Sequence, residues 1–144
     1  MFTHMLIATD GSDVANKAVD QGLALAKALK AKVTVVTVTG PFGESLAEMD
    51  MAASADQYHK QVTDWVSKVL SPVASAAREA GIVYDTVHVD GQYPAEGIIK
   101  AAKDSDCDVI VMASHGRRGL QRLLLGSQTQ KVVTLSTVPV LVWR

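Results

Sequence analysis

Apolar and polar residues alternate along this chain in blocks whose period switches repeatedly between that of a strand and that of a helix. Met5 to Ala8 is a short apolar run closed by the polar turn Thr9-Asp10-Gly11-Ser12, after which apolar residues return at Val14, Ala18, Val19, Gly22, Leu23, Ala26 and Leu29. That order predicts a strand, a tight turn and an amphipathic helix. Ser12 is placed to cap the helix, and Asp13 suits its positive end. Lys32 to Thr39 (KVTVVTVT) is β-branched and predicts a second strand, ended by Gly40-Pro41 and Gly43. Strand, helix and strand joined by a right-handed crossover make a parallel βαβ unit.

Residues 41 to 53 have weak periodicity and predict a mobile loop or a loose first turn. From about Ser54 to Ala80 a helical pattern runs through Tyr58, Val62, Trp65, Val66, Val69, Leu70, Val73, Ala76 and Ala77, interrupted at Ser71-Pro72. Pro72 is expected either to kink this helix or to begin a second one with Ser71 as its cap. Tyr58 and Trp65 read as core packing, because no basic residues interleave with them as a nucleic-acid stacking platform would require. Gly81 ends the helix, and Val83 to Val89 alternates like a strand exposed on one face, with His88 on the polar phase as a surface residue. A loop from Asp90 to Pro94 leads into a helix over Ala95 to Lys103.

The uninterrupted apolar run Val109 to Ala113 predicts a parallel strand covered on both faces. A polar Gly-containing turn and a Leu-rich segment follow, then a helix from Gly126-Ser127 to about Ser136, and a last strand from Val138 to Arg144. Pro139 cannot donate to a ladder, so that strand is expected at an edge, where pairing with a second copy would cover it. Five strands alternating with four helical regions predict one domain over residues 1 to 144, an α/β fold with a five-stranded parallel doubly wound sheet and helices on both faces.

In such sheets ligands bind beyond the carboxyl ends of the strands, and a helix start offers unpaired N–H groups to an anion. Gly116, Gly119 and Gly126 allow close backbone approach, Ser127 can cap the helix or donate to a ligand, and Arg117, Arg118 and Arg122 add positive charge. The same residues also read as an ordinary connection with Gly in turns and Arg in solvent. Asp10 ends the first strand on the same sheet edge, either as a ligand group or as a turn former bonding its own backbone.

Composition narrows the choice. Apolar residues make up 48% of the 144 and aromatics 5%, so the core must be built from Val, Leu, Ile and Ala. A net charge of −1 gives no long-range attraction for nucleic acid or an anionic membrane, so any anion site has to be local. Cys107, the single cysteine, excludes an internal disulfide and a Cys-based zinc site, and reads as a small buried hydrophobe. No apolar run approaches the roughly 18 residues of a membrane span, and MFTHMLIATDG has no basic leader region, so the cytoplasm is the expected compartment. The TDGSD turn lacks G-x-G-x-x-G, and neither a P-loop nor a G-x-S-x-G elbow occurs. His4, His59, His88 and His115 have no metal-ligand spacing, and no protein metal site is expected.

What remains is Ala113-x2-Gly116-x9-Gly126-Ser127, with Asp10 at the end of the first strand. Together with LIATDGS, DVIVMASHGRRGL, LLLGSQTQKV and the terminal VPVLVWR, this pattern resembles the universal stress protein family across essentially the entire chain. The resemblance implies an adenine-nucleotide α-hydrolase-like sheet, a stress-response or signalling role, and a homodimer formed through the C-terminal strand. It implies ATP, or ADP or AMP, as ligand, with Mg2+ bridging the phosphates. Gly116, Gly126 and Ser127 fall at the phosphates, Asp10 near the ribose, and Val38 with Ala8 and Thr9 at the base. Met112, Ala113, His115, Arg117 and Gln128 are counted with them.

Ala113 departs from the pattern, standing where ATP-binding members have the first glycine. If the position needs a positive φ, Ala is strained and binding weakens; in an extended conformation it is tolerated, which is the reading favoured here. Two other readings stay open. One is a non-nucleotide-binding stress or interaction protein of the same fold, supported by Ala113. The other is a slow ATPase or autophosphorylating enzyme, with Asp10 and His115 as acid-base candidates and Ser127 or Ser114 as acceptor.

Overall fold

The computed structural model describes residues 1–41, 54–116 and 124–144. The elements follow one another as β1 (His4–Ala8), α1 (Asp13–Leu29), β2 (Lys32–Thr39), α2 (Ala55–Glu79), β3 (Tyr84–Asp90), α3 (Pro94–Asp104), β4 (Val109–Ala113), α4 (Ser127–Leu135) and β5 (Val140–Trp143). All strand pairs are parallel, in the order β3-β2-β1-β4-β5. The expected architecture is therefore present, and residues 42–53, read above as part of a loop, lie outside the described residues, as do Arg117, Arg118, Gly119 and Arg122.

Successive side chains of a strand point to opposite faces, and here both faces are covered. On one, Met5, Ile7, Val33, Val35, Val109 and Val111 pack with α1 and α2. On the other, Leu6, Val36, Ile110 and Met112 pack with α3 and α4. This double burial is the reason the central strands carry apolar side chains without alternation, and β3, at an edge, keeps the alternation of a half-exposed strand. Cys107 belongs to the second core, where burial pushes its thiol up to about 11 and leaves it unsuited to nucleophilic chemistry.

Several boundaries differ from the sequence reading. Pro72 does not divide α2, which runs unbroken from Ala55 to Glu79. An interior proline costs about 3 kcal/mol, but Lys68 and Pro72 are both exposed, so the carbonyl left without a partner faces water, while Val69, Leu70, Val73 and Ala77 bury the opposite side. β5 begins at Val140 instead of Val138, because Pro139 enters the ladder only as acceptor, taking the Ile110 N–H at 2.9 Å. β3 starts one residue later than expected, at Tyr84, opposite Val33.

At the amino edge of the sheet Asp108 ties the chain start to β4. Its carboxylate accepts the Thr3 N–H at 2.8 Å, the Thr3 hydroxyl at 2.9 Å and the His4 N–H at 3.3 Å. Burial opposes the charge, but these bonds outweigh it and hold the carboxyl below its ordinary range. The folded carboxyl being the stronger acid, its contribution to stability is full above the unfolded pKa and disappears as pH falls through the lowered folded value. Asp108→Asn is expected to cost about 1 kcal/mol at neutral pH, and the gap to wild type should close in urea titrations carried to acid pH. A gap that stays constant with pH would contradict this assignment.

Candidate functional site

β1 and β4 lie side by side, with Leu6 opposite Ile110 and Ile7 opposite Val111. From β1 the chain leaves toward α1 on one face, and from β4 toward α4 on the other. Their carboxyl ends therefore flank a topological switch point, where helices diverge and a crevice opens. Two short turns line it.

The first turn follows β1. Thr9 extends the strand pairing by giving its N–H to Val36 at 3.0 Å, and its hydroxyl accepts the Gly11 N–H at 3.1 Å. Asp10 Oδ1 accepts the Ser12 N–H at 3.0 Å, and Ser12 Oγ caps α1 by accepting from Ala15. Gly11 sits at φ +78°, a conformation that favours glycine. So Asp10 does act as a turn former, through one oxygen. Its Oδ2 faces the other turn: a Cβ placed on Gly116 would lie 2.8 Å from it.

The second turn follows β4. Ala113 is the last residue of that strand, buried and paired with Trp143. It has no positive φ; among the described residues the only non-glycines with one are Lys30 and Asp106. The methyl group is therefore unstrained, which answers the conformational question posed by the sequence. Ser114 donates its N–H to Trp143 at 2.7 Å and accepts the Gly126 N–H at 2.8 Å, closing the connection at its base. A Cβ on Gly126 would lie 3.2 Å from the Ser114 carbonyl, so here the glycine provides room, as at Gly116, and not a special dihedral angle. Ser114 Oγ bonds His115 Nδ1 at 2.8 Å, and His115 Nε2 is buried without a hydrogen-bond partner among the described residues.

Gly126, not Ser127, occupies the cap position of α4, and no side chain caps the helix. Ser127, exposed, is its first residue, and the cap position supplies no side-chain bond to the amides that a helix start leaves without an intrahelical partner. Ala8 and Met112 send their side chains into the core, and Val38 packs against α3, where a Cβ on Gly97 would be 2.7 Å from its Cγ1. Any role of these three toward a ligand falls to their backbone. Gln128 points to α3, its Oε1 accepting the Ala95 N–H at 3.0 Å. Arg117 lies outside the described residues.

Sequence reasoning missed Thr129, whose hydroxyl donates to the Ala113 carbonyl at 3.1 Å and anchors α4 to β4. A Thr two residues after the helix start, on the side that carries the buried Val132, was the available signal. It also missed an open groove of about 530 Å3 between α1 and α2, with Asp10 at its rim and Asn16, Asp20, Trp65 and Lys68 along it. That groove lies on the α1/α2 side, away from the β4–α4 turn. No group of three His, Cys, Asp or Glu able to hold a metal occurs among the described residues.

A doubly wound parallel sheet with Gly116 and Gly126 at the turns beside its switch point defines a class of small α/β proteins. Within that class, the sequence profile of the universal stress protein family matches residues 1–144, and the chain belongs to that family. Universal stress protein YxiE of Bacillus subtilis is 33% identical over the full length of both chains. Universal stress protein MJ0531 of Methanocaldococcus jannaschii is 32% identical, over 99% of this chain and 82% of the relative. Among solved structures, MJ0577 superposes with a TM-score of 0.82 at 28% identity, covering 99% of this chain and 95% of that one. A universal stress protein in complex with cAMP superposes at 0.73 with 26% identity, covering 99% and 97%.

Because Ala113 is unstrained, Ala113→Gly should relieve nothing and should lower stability by roughly 0.5–1 kcal/mol. Chemical denaturation checks this; a more stable glycine variant would mean that the backbone at this position is strained after all.

Proposed function

We propose that this universal stress protein binds an adenine nucleotide in the crevice between the ends of β1 and β4, with ATP as ligand and Mg2+ carried mainly by the phosphate oxygens, and acts in the cytoplasm as a stress-response or signalling module. The observation that carries the reading is the meeting of Gly116 with Asp10 Oδ2, beside the uncapped start of α4. Backbone without Cβ atoms leaves room for a phosphate chain, the first-turn amides of α4 supply donors, and Asp10 supplies an acceptor suited to ribose hydroxyls. With no three-ligand cluster among the described residues, a divalent ion would depend on phosphate and water for most of its coordination, as Mg2+ commonly does. The cAMP complex of a relative with the same fold at 26% identity supports the adenine-nucleotide part.

Ala113 was the one residue favouring a reading without nucleotide, and its strand geometry withdraws that argument. For the enzymatic alternative, Ser114 is 3% exposed with its hydroxyl bonded to His115, which argues against it as a phosphoryl acceptor, whereas Ser127 is accessible. The reading includes a homodimer through β5. That strand ends the sheet and leaves Leu141 40% and Trp143 37% exposed, and Val133 and Leu135 of α4 are exposed nearby in sequence. An apolar edge of this kind is stabilised by a second copy.

Calorimetry with ATP, ADP and AMP at up to millimolar concentration should show saturable binding that Gly116→Val abolishes while circular dichroism keeps the wild-type profile. Absence of heat with all three nucleotides in wild type would end the proposal. In light scattering the protein should have twice the chain mass, and Leu141→Glu with Trp143→Glu should halve it; a monomeric wild type would remove the dimer from the account.

A further inference from the structure

Nucleotide binding, in this reading, depends on where the first turn of α4 sits, and two consecutive side chains fix it. Thr129 ties the turn to β4 through the Ala113 carbonyl. Gln128 reaches the other way, its Oε1 accepting the Ala95 N–H at 3.0 Å in the first turn of α3. Ala95 is among the amides that a helix start leaves without an intrahelical partner. Tyr93, at the cap position of α3, makes no side-chain cap bond, and Pro94 has no N–H to satisfy. Gln128 therefore acts as a cap for α3 delivered from α4. Ala95 is 0% exposed, so its N–H has no ready substitute in water if that acceptor is lost. Glutamine and glutamate present an oxygen at this distance; methionine, of similar length, offers only a weak sulfur acceptor.

We propose that Gln128 is a positioning residue that couples the anion-facing turn of α4 to the start of α3, so that occupancy of the crevice and order at the first turn of α3 rise together. The proposal rests on the adenine-nucleotide reading for its ligand and on the Gln128–Ala95 bond for its coupling. One residue contributes both ends of the link: its backbone belongs to the turn that receives the anion, and its side chain holds the neighbouring helix start. Ordering the first restricts the second, and the coupling acts equally in both directions.

The test compares wild type with Gln128→Met and Gln128→Glu, following amide hydrogen exchange at Ala95 by NMR alongside ATP titration. Without ligand, Gln128→Met should speed exchange at Ala95 by about fivefold, while the central amides of β1 and β4 keep wild-type protection. Gln128→Glu, which retains the acceptor, should restore protection at Ala95. Adding ATP should slow exchange at Ala95 in wild type but not in Gln128→Met, which should also bind ATP about fivefold more weakly. Unchanged exchange at Ala95 in Gln128→Met overturns the proposal without touching the nucleotide reading, as does equal ATP affinity in the two proteins. A wild type that binds no ATP removes both.

Discussion

The site depends on one close approach. The turns after β1 and β4 approach closely at the switch point, where a Cβ on Gly116 would stand 2.8 Å from Asp10 Oδ2 and push that carboxylate aside. Everything around the contact serves to hold it. Oδ1 of the same aspartate is engaged with the Ser12 N–H, which orients the carboxylate, and Gly11 takes the positive φ that the turn requires. On the opposite side the Gly126 N–H closes onto the Ser114 carbonyl, again where a Cβ would crowd the backbone. Both glycines leave space that a side chain would crowd, and the same space is what a phosphate chain would use.

That local geometry is imposed by the sheet. The connections after β1 and β2 pass to one layer and those after β3 and β4 to the other, and the change of layer between the neighbours β1 and β4 marks the switch point. The first turn of α4 is then fixed by bonds in three directions, to the Ser114 carbonyl, the Ala113 carbonyl and the Ala95 amide. Preorganisation of this kind keeps backbone donors in place before a ligand arrives, which lowers the ordering cost of binding. The other sheet edge bears a different task, with Asp108 joining the chain start to β4 through three accepted hydrogen bonds.

Much of this was legible in the sequence because the deciding interactions are local. β-branched runs bounded by Gly and Pro delimited β2, and an uninterrupted apolar run delimited β4, both at their observed ends. Asp10, Gly116 and Gly126 could be placed in the two turns because turns and close approaches call for particular residue types. The misses have a common cause in tertiary context. Of the two outcomes that local rules allow at Pro72, a kink or a new helix start, burial on both sides excludes the second and carries α2 through. The cap of α4 falls on Gly126 because that residue is held by Ser114, a partner twelve positions away. Likewise nothing in the local pattern announces that Gln128 will satisfy an amide of another helix. For Ala113 the sequence could pose the question, and only the backbone, extended and paired with Trp143, could answer it.

A nitrogen-edited NMR titration with ATP locates ligand binding on the sheet edge directly. The amide shifts should concentrate at Thr9, Asp10, Ser114 to Gly116 and Gly126 to Gln128, on both sides of the switch point. Shifts centred instead on Asn16, Asp20, Trp65 and Lys68, in the groove between α1 and α2, would contradict this placement.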